Sequence, residues 1–187
     1  MSQILFLNGA SSSGKSSIAK AIQELDDKPW LVLGVDTFID LMPAAYTPGG
    51  SKAAQGMDFV TGANANGPTL EVSTGPYGKK VFNACALVAK TLADQGLDLI
   101  IDEVLLSKDE FAHYKNQLTG HIIYFVKVAC DLATLQSREQ LRGNRLSGLA
   151  NAQFSLIDLF EKEYDLVVDT TKNSAVECAE QIIQSLA

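Results

Sequence analysis

Five short apolar runs recur along the chain, ILFLN at 4–8, LVLGV at 31–35, LDLIID at 97–102, HIIYFVKV at 121–128 and DLVVD at 165–169, and they constrain the fold more than any other feature. Each is nearly continuous in apolar residues instead of alternating with polar ones, the pattern of a strand covered on both faces in a parallel sheet. Between them lie stretches with helical spacing, at about 15–25, 37–42, 78–95, 108–117, 131–142, 149–162 and 174–186. Strand and helix in alternation, joined by right-handed crossovers, predict a three-layer α/β fold: a five-stranded parallel sheet flanked by helices, with ligands beyond the carboxyl ends of the strands. At 187 residues the chain fits a single domain of this kind.

One stretch breaks the alternation. Residues 44–76 are rich in Gly, Pro, Asn, Ser and Thr and read as a long loop, either a substrate-binding loop or a mobile insertion. Its few apolar residues, with Met42 just ahead of it and then Tyr46, Met57, Phe59 and Val60, either line an acceptor surface or pack the loop onto the domain.

Directly behind the first run stands GASSSGKS, which satisfies G-x-x-x-x-G-K-S/T with Gly9, Gly14, Lys15 and Ser16. After a strand and before a helix, this is a P-loop in the context its chemistry needs. The glycines let the backbone of Gly9, Ala10, Ser11, Ser12, Ser13, Gly14, Lys15, Ser16 and Ser17 curl so that its N–H groups face phosphate oxygens, and the following helix adds its positive end. Lys15 is expected at the β- and γ-phosphates, and Ser16 at Mg²⁺. No N-K-x-D occurs to read a guanine, so ATP is expected over GTP.

Composition bears on partners. A formal charge of −7 argues against nucleic acid or an anionic membrane surface as partner, since both require excess cations. A polyanion must then be bound by a local cradle of backbone dipoles. No run approaches the roughly 20 apolar residues of a membrane span, the start of the chain does not read as a secretory leader, and a cytoplasmic protein is expected. Cys85, Cys130 and Cys178 match no metal-ligand spacing and are expected as buried thiols. His113, His121 and Trp30 read as structural.

Three further clusters carry chemistry. In GVDTFIDLMP, Asp36 is expected at the carboxyl edge of the second strand, beside the P-loop, with Asp40 one helical turn on; Asp36 either accepts a proton from an attacking hydroxyl or caps a short helix. In LIIDE, Asp102 ends a strand and either holds Mg²⁺ or makes a turn. In SREQLRGNR, Arg138 and Arg142 share a helix face and Arg145 follows a glycine that can end the helix, clustering three arginines within about 137–150. These guanidiniums either clamp phosphates or form a solvated face pairing with Glu139.

Taken together, LNGASSSGKSSIAKAIQ, PWLVLGVDTFIDLMP, LIIDEVLL, VACDLATLQSREQLRGNRLSG and YDLVVDTT resemble the chloramphenicol phosphotransferase family of P-loop kinases. The resemblance implies a shikimate-kinase-like fold with the P-loop strand at the sheet's centre. It also implies transfer of the ATP γ-phosphate to a primary hydroxyl of chloramphenicol, an antibiotic-resistance chemistry. Asp36 falls on the family's catalytic aspartate, and Arg138, Arg142 and Arg145 on its lid arginines. Residues 44–78 lie outside the resemblance, so a kinase for another hydroxyl acceptor, such as a sugar, nucleoside or UDP-sugar, and a nucleotide-binding switch module are the alternative readings.

Overall fold

The computed structural model of the chain describes residues 1–142 and 147–186. Its first strand, β1 (Gln3–Asn8), leads through the P-loop into α1 (Lys15–Leu25), and β2 (Leu31–Gly34) leads into the short α2 (Val35–Asp40). A hairpin follows, β3 (Met57–Asn64) and β4 (Gly67–Thr74), then α3 (Pro76–Asp94), β5 (Leu99–Glu103), α4 (Lys108–Gln117), β6 (Ile122–Ala129) and α5 (Leu132–Arg142). The chain ends with α6 (Leu149–Gln153), β7 (Leu166–Asp169) and α7 (Ala175–Ser185).

The main sheet has the order β2-β5-β1-β6-β7, and every pairing in it is parallel. The expected five strands are therefore present, with the P-loop strand in the middle. Ile4, Leu5, Phe6 and Leu7 of β1 have no solvent exposure. Because successive side chains point to opposite faces, Ile4 and Phe6 pack with Leu99, Ile101 and Phe125 beneath α3 and α4, while Leu5 and Leu7 pack with Ile18, Ile22, Val126 and Ile182 beneath α1 and α7. On the first face Phe6 meets Tyr114 edge-on at 5.0 Å and Phe125 at 5.1 Å. β2, at the sheet's edge, departs from the expectation of full cover: Leu31 and Val32 are exposed.

Helix ends follow their local chemistry. Ser174 and Glu177 form a capping box on α7, Ser107 caps α4, and α3 starts at Pro76, where a missing N–H costs nothing.

Two expected elements differ in the structure. The 44–76 stretch is not a plain loop: after 3-10 turns at Ala44–Tyr46 and Ala53–Gln55 it forms the antiparallel hairpin, with Asn64 paired to Gly67 across a two-residue turn. Asn64 Oδ1 accepts the N–H of Asn66 at 2.9 Å, and Gly67 takes φ +113°. Asn and Gly, which read as loop residues, here make the turn, and β-branched Val60, Thr61, Thr69 and Val72 fill the strands. The helix expected over 149–162 stops at Gln153 and continues after a turn as a 3-10 segment, Ile157–Phe160. That tighter coil lets Ile157 reach one core cluster and Phe160 another.

Candidate functional site

The P-loop lies at the carboxyl end of the central strand, with β5 on one side and β6 on the other. Gly9 is required by packing, because a Cβ there would stand 2.7 Å from Val128 O and from Ser13 Oγ. The loop then turns left-handed twice, at Ser12 (φ +67°) and Gly14 (φ +97°). A serine in that conformation costs about 1–3 kcal/mol, so its surroundings must impose it. The Ser13 N–H bonds to Ala10 O at 3.1 Å, and the Ser11 N–H to Gln153 Oε1 at 2.8 Å. Among the described residues the buried hydroxyls of Ser12 and Ser13 have no hydrogen-bond partner. Polar atoms left so inside a curled, glycine-flanked loop fit a site shaped for phosphate.

Lys15 opens α1 and is 7% exposed. Its Nζ donates to Gly9 O at 2.8 Å and Ala10 O at 3.1 Å, and stands 3.9 Å from Asp102 Oδ1. The ammonium is thus folded onto the loop itself. One residue on, Ser16 Oγ donates to Asp102 Oδ2 at 2.6 Å. Asp102 is at the end of β5, in register with Leu7 and Gly34. A hydroxyl and a carboxylate side by side at the mouth of the loop form a hard-oxygen pair of the type Mg²⁺ prefers. No cluster of three or more His, Cys, Asp or Glu side chains gathers at a metal site among the described residues.

Asp36 follows the end of β2 and lies exposed in the first turn of α2, whose cap position is Gly34. Its strand is not next to the P-loop strand, because β5 runs between them. At about 4.8 Å per strand spacing, the two strand ends are roughly 10 Å apart, with the end of β5 between them. Asp40 is exposed at the far end of α2.

Arg138 sits on the other side of the P-loop. Its guanidinium donates to Thr170 O at 2.8 Å and Thr170 Oγ1 at 3.1 Å, and stands 3.5 Å from Cys130 Sγ. Thr170 Oγ1 in turn donates to Ser13 O at 2.8 Å, so α5, the turn after β7 and the P-loop are tied together. Beside them opens a cavity of about 380 Å³ lined by Ser12, Gly14, Ser17, Arg138 and Asn173. The side chain of Arg142 and the whole of Arg145 lie outside the described residues. Glu139 does not belong to a solvated face: it is 2% exposed, and its carboxylate accepts the N–H groups of Gly148 and Ala150 at 2.8 and 3.0 Å.

Several residues of the site escaped the sequence reading. Glu103, next to Asp102 on the strand, points to the opposite face, where Tyr114 Oη donates to it at 3.0 Å; burial pushes its carboxyl up to about 8, and the same burial, with Glu103 nearby, raises the Cys85 thiol to about 12. The alternation of a strand was the signal available for Glu103. Gln153 and Asn151 carried none, because their partners are more than 80 residues away in sequence. In the segment beyond α2 Met42 and Met57 are buried, Val60 is exposed, and Tyr46 packs on Tyr77 at 4.7 Å.

No helix among the described residues is long and apolar enough to cross a membrane. The family model described as chloramphenicol phosphotransferase-like protein matches residues 2–187. A protein of Mycobacterium tuberculosis whose name proposes an O-phosphotransferase is 26% identical over 194 residues, covering 98% of this chain and 81% of its own length. Among solved structures, the APS kinase of Mycobacterium tuberculosis in complex with AMPPNP and APS has a TM-score of 0.67 at 18% identity, covering 99% of this chain and 97% of its own. Shikimate kinase from Acinetobacter baumannii in complex with shikimate has a TM-score of 0.59 at 14% identity, covering 100% and 93%. At these identities the two structures speak for the fold, that of P-loop kinases.

Proposed function

The chain belongs to the chloramphenicol phosphotransferase-like family, and we propose that it moves the γ-phosphate of ATP to a hydroxyl of a small molecule, chloramphenicol being the first acceptor to test. What supports the reading is the strand order: Lys15, Ser16 and Asp102 gather at the mouth of the P-loop, and Asp36 lies in the first turn of the helix after β2, whose Gly34 pairs with Asp102 of β5. The phosphates lie along the N–H groups from Ser12 to Ser17, and Lys15 exchanges its two loop carbonyls for β- and γ-oxygens. Ser16 and Asp102 would hold Mg²⁺, which when bound neutralises charge on the phosphates. The base of the nucleotide occupies the cavity beside Arg138, whose charge lies along the phosphates' flank. To Arg142 and Arg145 we assign, from the family resemblance alone, contact with the transferring phosphoryl group. Asp36 accepts the proton of the acceptor hydroxyl as its oxygen attacks phosphorus in line with the departing ADP. The cytoplasm, where ATP and thiol-reducing conditions prevail, is the compartment this reaction suits.

One observation favours a more polar acceptor. Of Met42, Met57 and Val60 the last alone is exposed, whereas the hairpin presents the exposed polar residues Thr61, Asn64 and Asn66. A sugar, nucleoside or UDP-sugar matches that chemistry. The test is ADP release in the presence of ATP and Mg²⁺ with a panel of hydroxyl compounds, chloramphenicol included, and mass spectrometry for a product heavier by one phosphoryl group. Acceptor-dependent ADP release is expected; its absence with every hydroxyl class overturns the reading.

A further inference from the structure

The hairpin on the acceptor side and the phosphate loop share no sequence neighbourhood, yet one short helix touches both. On its hairpin side α6 is bonded three times: the Leu70 N–H donates to Gly148 O at 3.0 Å, Asn151 Nδ2 to Pro68 O at 2.8 Å, and Asn64 Nδ2 to Asn151 O at 3.3 Å. The approach is close enough that a Cβ on Gly148 would stand 2.9 Å from Leu70 N, at a φ of +117°. On its other side Gln153, 6% exposed, accepts the Ser11 N–H at its Oε1. Glu139 clamps the start of the helix to α5.

The place of the Gln153 contact matters. Ser11 directly precedes Ser12, the one non-glycine residue with positive φ among those described. The Ser11 N–H is the last donor before the left-handed turn, so an acceptor held rigidly against it orients the chain that enters the phosphate cradle. A buried amide oxygen does this only while its own helix stays in place, and the hairpin supplies three of the bonds that keep it there. Asn151 Oδ1 and Thr69 Oγ1 are buried at this junction without hydrogen-bond partners among the described residues, so the junction is not a fully satisfied, locked contact.

Resting on the kinase reading above, we infer that Gln153 is a positioning residue of the phosphate loop and that α6 links it to the β3–β4 hairpin, so that nucleotide on one side and the hairpin on the other set each other's geometry. Linkage requires the effect to run both ways. Nucleotide binding tightens the hairpin's hold on α6, and loosening that hold weakens nucleotide binding.

The experiment uses the full chain and Mg·ADP, with affinity from calorimetry and hydrogen exchange followed by mass spectrometry. In the unsubstituted protein, Mg·ADP slows exchange across 64–70 by about fivefold, a typical coupling. Gln153→Met, which keeps the length and removes the acceptor oxygen, still binds Mg·ADP but loses that slowing. Asn151→Ala, whose deleted bond runs to the hairpin, weakens Mg·ADP about fivefold. A merely structural Gln153 predicts lower melting temperature with the hairpin response intact, and that outcome overturns the inference. So does an Asn151→Ala protein with unchanged Mg·ADP affinity, a test that holds even if Gln153→Met fails to fold. If the unsubstituted chain binds no Mg·ADP, the kinase reading fails and this one with it; if it binds and 64–70 do not respond, only this inference fails.

Discussion

The nucleotide end and the proposed acceptor end of this molecule are built on different principles. The P-loop is made of consecutive residues, Gly9 to Ser17, and its working parts are backbone N–H groups, two left-handed turns and one lysine. Asp102, Gln153 and Thr170 reach it from afar. As proposed, the acceptor end would draw on Asp36 from the edge strand's helix, a hairpin from the stretch that breaks the α/β alternation, and α6 from 80 residues further on. A polyanion presents the same phosphates in every kinase, so a local cradle suffices for it. An acceptor varies, and its site is assembled from separate segments that change independently.

The comparison can be broken at defined points. Lys15→Ala removes the ammonium that the loop folds over itself; turnover is expected to fall to near background and ATP binding to weaken, read from steady-state kinetics and calorimetry. Near-normal kinetics would remove the nucleotide end from the reading. Asp36→Asn separates the two ends most directly: phosphoryl transfer should drop roughly 10²- to 10⁴-fold, with ATP affinity within a few-fold. A loss of tenfold or less in a folded protein would return Asp36 to a first-turn helix residue.

Smaller effects sharpen it. Gly148→Ala puts a Cβ against Leu70 N at positive φ, so the hairpin should detach and the acceptor KM rise about tenfold, by analogy with a lost buried contact of 1–3 kcal/mol; an unchanged KM would separate the hairpin from acceptor binding. Arg138→Lys keeps charge but cannot make both bonds to Thr170, and a several-fold rise in the ATP KM is expected with the acceptor KM unmoved. Ser174→Ala opens the capping box of α7, away from both ends; the melting midpoint should fall roughly 2–4 °C and kcat stay the same.

Legibility in the sequence followed the same division. The five strands and the P-loop were readable because each signal is local: a run of apolar residues, or four residues at fixed spacing before a helix. Asp36 and Asp102 could be placed at strand ends because strand ends carry the chemistry in sheets of this type. The hairpin was hidden by its own turn residues, since Asn and Gly mark loops and tight turns alike. Glu139 offered itself in sequence as the ion-pair partner in one of two readings of the arginines, because its acceptance of two backbone N–H groups depends on residues nine and eleven places later.

By itself the sequence determined the layered parallel sheet, the phosphate loop directly behind its first strand and the identity of the groups at the strand ends, because apolar periodicity and short motifs act over a few residues. Only the tertiary structure decided that β5 separates Asp36 from the P-loop, that Arg138 braces the nucleotide side through Thr170, and that Gln153 reaches Ser11 while its helix holds the hairpin. Strand order and contacts across 80 to 150 residues are set by which faces bury best against one another, a property of the packed chain and of no single segment in it.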